Sequence, residues 1–398
     1  MAGVFDRLVG QAPVEAELTA AATAARRGSE AGSAMTHSWL FTGPPGSGRS
    51  IAALCFAAAL QCTDPDVVGC GQCHACTTTM AGTHGDVRRV IPEGLSIAVG
   101  EMREIVQTAA RRPSTGRWQV VVIEDADRLT EQAGNALLKA VEEPPERTVF
   151  LLCAPSDDPE DFSVTLRSRC RHVRLVTPSV EAVAGVLRQD SEIDAETAQW
   201  AASISGGHVG RARRLATDED ARARRKRAFD LAHAASRPGA AYEAADELVR
   251  AAEAEAKVLS SARDERELDE LRTALGAGGT GKGTAGALRG SMGAIRDLEN
   301  RQKSRATRTN RDALDRALID LAGYYRDALA RALGADAAAT HPDMADDVAA
   351  LAARTSSEAL LCSLEAVLEC REALDLNVKP RYALAAMIAT LGSMAPTV

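Results

Sequence analysis

Along the first 175 or so residues, short apolar runs alternate with stretches of helical periodicity. Trp39-Leu40-Phe41 leads into a helix from Ser50, and Val120 to Ile123 leads into a helix from Thr130 to Val141. Two further runs, Thr148 to Cys153 and Arg171 to Val176, follow. Strands separated by helical crossovers predict a parallel α/β sheet. From about Pro178 the strand pattern stops, and short helical patterns run to about residue 217, with Gly206, Gly207 and Gly210 read as a turn. The remainder, from residue 229, repeats Ala, Leu, Glu and Arg at helical spacing. Leu314, Leu318, Leu321 and Tyr325 share one face, and Leu360, Leu364 and Leu368 another. The pattern predicts an α/β core over 1–177, a small helical lid over 178–228 and an all-helical domain over 229–398. Gly276 to Gly290 holds seven glycines in fifteen positions and reads as a surface loop.

Composition changes this picture by exclusion. The 398 residues carry 47 basic and 55 acidic side chains, a net charge of −8, so any contact with nucleic acid is regional. The longest apolar run, Ile51 to Leu60, is far short of the roughly 20 residues that span a bilayer. Aromatics at 3% argue against a single-strand-binding surface built of stacking rings. Asp6 and Arg7 stand where a secretory signal needs an apolar core, which points to the cytoplasm and to reduced thiols.

Candidate chemistry gathers first at Gly43 to Ser50, GPPGSGRS, between the Trp39 strand and an apolar helix. Glycines there let backbone N–H groups turn toward phosphate oxygens, the helix N-terminus adds positive dipole, and Ser50 could ligate magnesium. Arg49 stands where such loops carry lysine, and a planar guanidinium does not replace a compact ammonium at a crowded phosphate site. A working site with unusual chemistry and a degenerate one both remain open. The second half of such a site is an apolar strand ending in Asp-Glu; here the order is reversed, Glu124-Asp125. Either these carboxylates serve a magnesium ion from misplaced positions or they are a solvated strand end. A second glycine-rich match, Gly276 to Gly283, has Gly283 in place of the required Ser or Thr and no strand before it.

Cys62, Cys70, Cys73 and Cys76 give C-x7-C-x2-C-x2-C, a spacing that suits tetrahedral zinc in a closed, structural site. An iron–sulfur cluster, or His74 or His84 replacing one sulfur, are the other readings. Cys55, Cys153, Cys362 and Cys370 sit in apolar contexts and read as core.

Taken together, several segments resemble the bacterial replicative clamp loader of DNA polymerase III, an AAA+ family. Val4 to Gln11 (VFDRLVGQ) resembles its amino-terminal nucleotide box and HSWLFTGPPGSGRS its phosphate loop. NALLKAVEEPP (Asn135 to Pro145), TLRSRC (Thr165 to Cys170) and LNVKPRYALAAMI (Leu376 to Ile388) resemble its later signatures, the last a collar helix. The four cysteines fall where the family has its zinc module, about 62–76, with the Cys62–Cys70 gap one residue shorter. The resemblance implies an AAA+ parallel-sheet P-loop domain with a zinc insertion, a helical lid and a helical collar for oligomerisation.

The departures also carry information. The family's motor subunits, gamma and tau, keep lysine in the phosphate loop, Asp-Glu on the strand, a threonine sensor and a lid arginine. This chain has Arg49, Glu124-Asp125, Cys153-Ala154-Pro155 and Gly210 at those places, yet keeps Ser168-Arg169-Cys170. In the family that arginine reaches into a neighbour's ATP site as a finger. The resemblance therefore implies a stator without ATP turnover of its own, in which Arg169, with Ser168 beside it, serves the adjacent motor. Its degenerate nucleotide site would comprise Gly43, Gly46, Gly48, Arg49, Ser50, Glu124 and Asp125, with ATP or ADP and Mg2+ held mainly by neighbours. Implied partners are the gamma/tau and delta subunits, indirectly the sliding clamp, and primed DNA. Two alternatives stay open: an active gamma/tau-type motor, and a zinc-stabilised nucleic-acid-binding adaptor with the same fold. Arg301, Lys303, Arg305, Arg308 and Arg311 form a basic run that is either a phosphate contact or a solvated helix face.

Overall fold

The computed structural model describes residues 3–27, 34–274 and 284–394. They form two compact units, Met1–Ala216 and Thr217–Val398. Among the described residues no helix is long and apolar enough to cross a membrane.

The first unit is built on five parallel strands: β1 (Ser38–Thr42), β2 (Val87–Val90), β3 (Gln119–Ile123), β4 (Thr148–Ala154) and β5 (Arg171–Arg174), in the order β2-β3-β4-β1-β5. β1, β3 and β4 are buried at every position, as central strands covered on both faces require. Their apolar runs made them legible. β2 (VRRV) carries two arginines at the sheet edge, so its pattern gave no strand signal. The helices are α1 (Ala12–Arg27), α2 (Arg49–Gln61), α3 (His74–Ala81), α4 (Val99–Ala109), α5 (Glu131–Glu142), α6 (Val164–Arg167), α7 (Val180–Leu187), α8 (Ala195–Ser203) and α9 (Val209–Thr217). α5 begins where Thr130 Oγ1 accepts the Ala133 N–H at 3.2 Å, an N-cap that fixes its start. α2, the apolar run of the sequence, lies in one core with Trp39, Phe41 and Leu151, while α4 and α5 pack with Leu40, Ile123 and Leu152 in the other. Gly206 and Gly207 adopt positive φ (63° and 80°) in the turn before α9. Gly210, expected in that turn, lies in the first turn of α9.

Two buried polar side chains fasten the loops of this unit. Asp86 accepts from Ser114 N and Oγ (2.7 and 2.9 Å), Thr115 N and Oγ1 (2.7 and 2.8 Å) and Gly116 N (2.6 Å). Burial alone would raise this carboxyl, but the donors overcome it and hold it far below the usual carboxylate range. Gln61, at the end of α2, accepts from Arg117 N at 2.9 Å and donates to the Trp118 carbonyl.

The second unit is all helical: α10 (Glu219–Ala234), α11 (Pro238–Ala274), α12 (Thr284–Ala332), α13 (Ala345–Arg354), α14 (Ser357–Asp375) and α15 (Pro380–Met394). Residues 228 and 229, the expected lid–collar boundary, fall inside α10, where Ala228, Phe229 and Leu231 belong to the second unit's core. Leu314, Leu318, Leu321 and Tyr325 are buried as their spacing predicts. Leu368 is 44% exposed, because the buried stripe of α14 runs instead through Ala366, Val367 and Cys370. Cys362 is half-buried rather than core. Of the glycine-rich segment, 276–283 lie outside the described residues, and from Thr284 the backbone is helical, not loop. Ala285, Ala287, Leu288 and Arg289 are strong helix formers that outweigh Gly286 and Gly290 there.

Candidate functional site

The fold sets out three groups of interest, all in the first unit. At the C-terminal ends of β1 and β3 lie the glycine-rich loop and the Glu124-Asp125 pair, at the edge of a parallel sheet where α/β proteins place ligands. Gly43 follows β1 directly, Gly46 and Gly48 take positive φ (88° and 94°), and Gly48 caps α2, whose first residues are Arg49 and Ser50. Gln11 steadies the loop by donating to the carbonyls of Ser47 (3.3 Å) and Val176 (2.6 Å). Gly46 has no room for a side chain: a Cβ there would come within 2.4 Å of the His208 Cβ. His208, just before α9, therefore lies directly against the glycine-rich loop.

Between the two, β4 separates β1 from β3 and supplies Cys153. Burial and the neighbouring Glu124 carboxylate push the Cys153 thiol up, while Arg49 and Ser50 act the other way, so these groups share one small volume. Glu124 is already engaged. The guanidinium of Arg89, on edge strand β2, donates to it and pairs its charge, leaving the Glu124 side chain 12% exposed. Asp125 follows with a left-handed backbone, φ 51°. Burial, and then Asp125, raise the Asp127 carboxyl, and one of its oxygens is buried without a hydrogen bond. Arg49 Nη1 is likewise buried without one. The structure thus brings together all seven residues expected at a nucleotide pocket. It adds Arg89, Asp127 and His208, which only tertiary pairing could reveal.

The cysteine group hangs from the end of α2. The Sγ atoms of Cys62, Cys70, Cys73 and Cys76 all lie within 4.8 Å of one another, and those of Cys62 and Cys73 are 4.0 Å apart. Four sulfurs at about 2.3 Å from one tetrahedral zinc stand about 3.8 Å apart, so the donor set fits a single zinc ion. An iron–sulfur cluster interposes its own irons and sulfides and needs wider spacing. His74 and His84 are not members of the group. Backbone N–H groups of Cys70, Cys73 and Cys76 point at the sulfurs of Cys62, Cys70 and Cys73 (3.5, 3.3 and 3.4 Å). Burial works to raise the Cys73 thiol, but hydrogen bonds from Thr63 and Cys76 bring it down to about 6, toward the thiolate a metal takes.

The third group is the turn after α6. Cys170 is anchored by the Arg167 carbonyl (3.1 Å) and packs against the core, which leaves Ser168 and Arg169 at the surface. Arg169 is 35% exposed and rests on Glu142 at the end of α5 (2.6 Å from Nε, 2.5 Å from Nη2), on the Thr165 carbonyl (2.8 Å) and on Ser168 Oγ (3.2 Å). Glu142 was not singled out in the sequence, although it belongs to the Asn135–Pro145 segment.

Comparison with known proteins yields matches in both units. The family described as "DNA polymerase III, delta subunit" matches residues 24–179, and "DNA polymerase III, delta subunit, C terminal" matches 307–385. The chain is 35% identical over 183 residues to DNA polymerase III subunit delta' of Pseudomonas aeruginosa, covering 45% of this chain and 55% of that one. It is 32% identical over 191 residues to subunit delta' of Escherichia coli, covering 47% and 57%. To subunit gamma/tau of Mycobacterium tuberculosis it is 34% identical over 178 residues, covering 44% and 29%. The matched stretch thus spans little more than half the length of the delta' relatives.

Proposed function

Because the chain belongs to the family of DNA polymerase III clamp-loader subunits, we propose that it is the delta-prime type, an AAA+ stator that serves a neighbouring motor instead of hydrolysing ATP itself. The observation that carries this reading is an asymmetry between two sites. In its own pocket, Arg49 replaces the phosphate-binding lysine and Glu124 is tied to Arg89. At the other site, the Ser168-Arg169-Cys170 sequence is intact, with the guanidinium at the surface and paired with Glu142. Arg169 acts in trans on the adjacent ATP site, stabilising charge on the γ-phosphate, and Ser168 supports it from the same turn. The helices over 178–217 act as the lid and the second unit as the collar. The gamma/tau and delta subunits are the direct partners, with the sliding clamp and primed DNA engaged by the complex in the cytoplasm. Zinc on Cys62, Cys70, Cys73 and Cys76 is structural, since four thiolates leave no open position.

The second reading, a gamma/tau-type motor, is favoured by the 34% identity to the Mycobacterium tuberculosis protein, within the 32–35% found for the delta' relatives. Equilibrium binding of ATP and ADP with magnesium to the purified chain separates the two. The stator reading predicts no binding tighter than about millimolar, a binding free energy near 4 kcal/mol or less, with or without Arg49→Lys. Tight binding with turnover by the unaltered chain would establish the motor.

A further inference from the structure

Arg169 is not a free group in this chain. All three nitrogens of its guanidinium are engaged: Nε and Nη2 with Glu142 Oε1 (2.6 and 2.5 Å), and Nη1 with the Thr165 carbonyl (2.8 Å) and Ser168 Oγ (3.2 Å). The other arginines nearby have acceptors of their own. Arg167 donates to the Asp157 carbonyl (2.6 Å), Arg174 pairs with the Asp157 carboxylate (3.0 Å) and Arg171 with Glu17 (2.7 Å). Among the described residues, Glu142 is the acid paired with Arg169.

Both partners stand on fixed backbone. Glu142 ends α5, whose Ala133, Leu137, Ala140 and Val141 are buried, and His37 Nε2 donates to the Val141 carbonyl at 2.8 Å. Leu166 of α6 and Cys170 belong to the same core as Leu137 and Val141, so the turn and the end of α5 are held together. A carboxylate in the last turn of a helix opposes the helix dipole, so helix stability alone does not favour an acid at position 142. The pair itself is open to solvent, with the Arg169 and Glu142 side chains 35% and 45% exposed. Exposed ion pairs are weak, shifting an equilibrium by at most about fivefold. A terminal phosphate, with more charge and more acceptor oxygens than one carboxylate, competes well for the same fork of donors.

We propose that Glu142 is a positioning residue for Arg169: it parks the guanidinium against the end of α5 in the free chain and yields it to a terminal phosphate presented by a neighbouring subunit. The inference rests on the stator reading and deepens it, by naming the group that the arginine leaves before it acts. Parking leaves only a fraction of the arginines ready to engage, and apparent affinity falls by that fraction. Removing the Glu142 charge therefore raises the ready fraction. The adjacent motor then half-saturates at a lower ATP concentration, while kcat, which reports the arginine once engaged, changes less. Salt screens an exposed pair, so the difference between wild type and Glu142→Gln shrinks as ionic strength rises.

The test takes two readouts on Glu142→Gln, with Glu142→Asp as the conservative variant. In the full chain alone, labelling with phenylglyoxal followed by peptide mass mapping reports how available each guanidinium is. Arg169 should label about 2–5-fold faster in Glu142→Gln than in wild type. Arg167 should keep its rate as the internal control, and Glu142→Asp should lie nearer to wild type. In the complex with gamma/tau and delta subunits, clamp and primed DNA, the half-saturating ATP concentration should fall by about the same factor, with kcat changing less and the effect lost at high salt. Thermal unfolding should be the same for all three chains. Equal labelling of Arg169 in wild type and Glu142→Gln would overturn the proposal. So would an unchanged half-saturating concentration, or a fall in kcat, which would make Glu142 a support for the engaged arginine. The clamp-loader reading fails differently: no assembly, or wild-type turnover by Arg169→Ala, with the labelling difference intact.

Discussion

Asp86 shows how much of this molecule turns on single residues that no motif marks. A carboxylate that is buried and accepts five hydrogen bonds is kept ionised by them, and its neutral amide would lose the charge-assisted part of each. Asp86→Asn should therefore destabilise the first unit by about 2–3 kcal/mol, read as an earlier denaturant midpoint of its transition. The pH dependence has a definite sign. Because the folded carboxyl is depressed, its contribution is fully present above the ordinary aspartate range near 4 and fades as pH falls below it. Stability of the wild type should thus fall through acid pH more steeply than that of Asp86→Asn. Nothing in the local pattern HGDVRRV announces this role, since the partners lie 28 to 30 residues away. The same distance problem hid Arg89 and Glu142, whereas the residues of the phosphate loop and of the arginine turn were legible because each motif is contiguous.

At the scale of elements, legibility followed burial. Central strands and the apolar helix α2 announce themselves by composition, while edge strand β2 does not, because half its residues face away from the core. The cysteine group was legible for another reason: its ligands lie within 15 positions of chain, so spacing alone brings them together. Metal analysis should find one zinc per chain. Removal by chelator, or Cys73→Ser, should lower the midpoint of the first unit's thermal transition by about 4–8 °C if the lost stabilisation is about 2 kcal/mol. An unchanged midpoint would mean that the thiols pack without metal. In the second unit the basic run reads differently once paired. Hydrogen bonds from Arg305 lead in bringing the Glu267 carboxyl down to about 2, which clips α11 to α12 and makes that arginine part of the scaffold.

The whole molecule comprises an α/β unit and a helical unit with a core of its own. Arg49, the Glu124–Arg89 pair and His208 lying on Gly46 each weigh against nucleotide chemistry in this chain. The proposed reading places the chemistry instead at a neighbour's site, served by the Ser168-Arg169-Cys170 turn. The decisive measurement is ATP turnover by a complex reconstituted from this chain with the proposed partners, gamma/tau and delta subunits, primed DNA and clamp, comparing wild type with Arg169→Ala. If the arginine completes the adjacent motor's site, turnover there falls by about 10³-fold while assembly is retained. Turnover equal to wild type from a fully assembled Arg169→Ala complex would contradict the account.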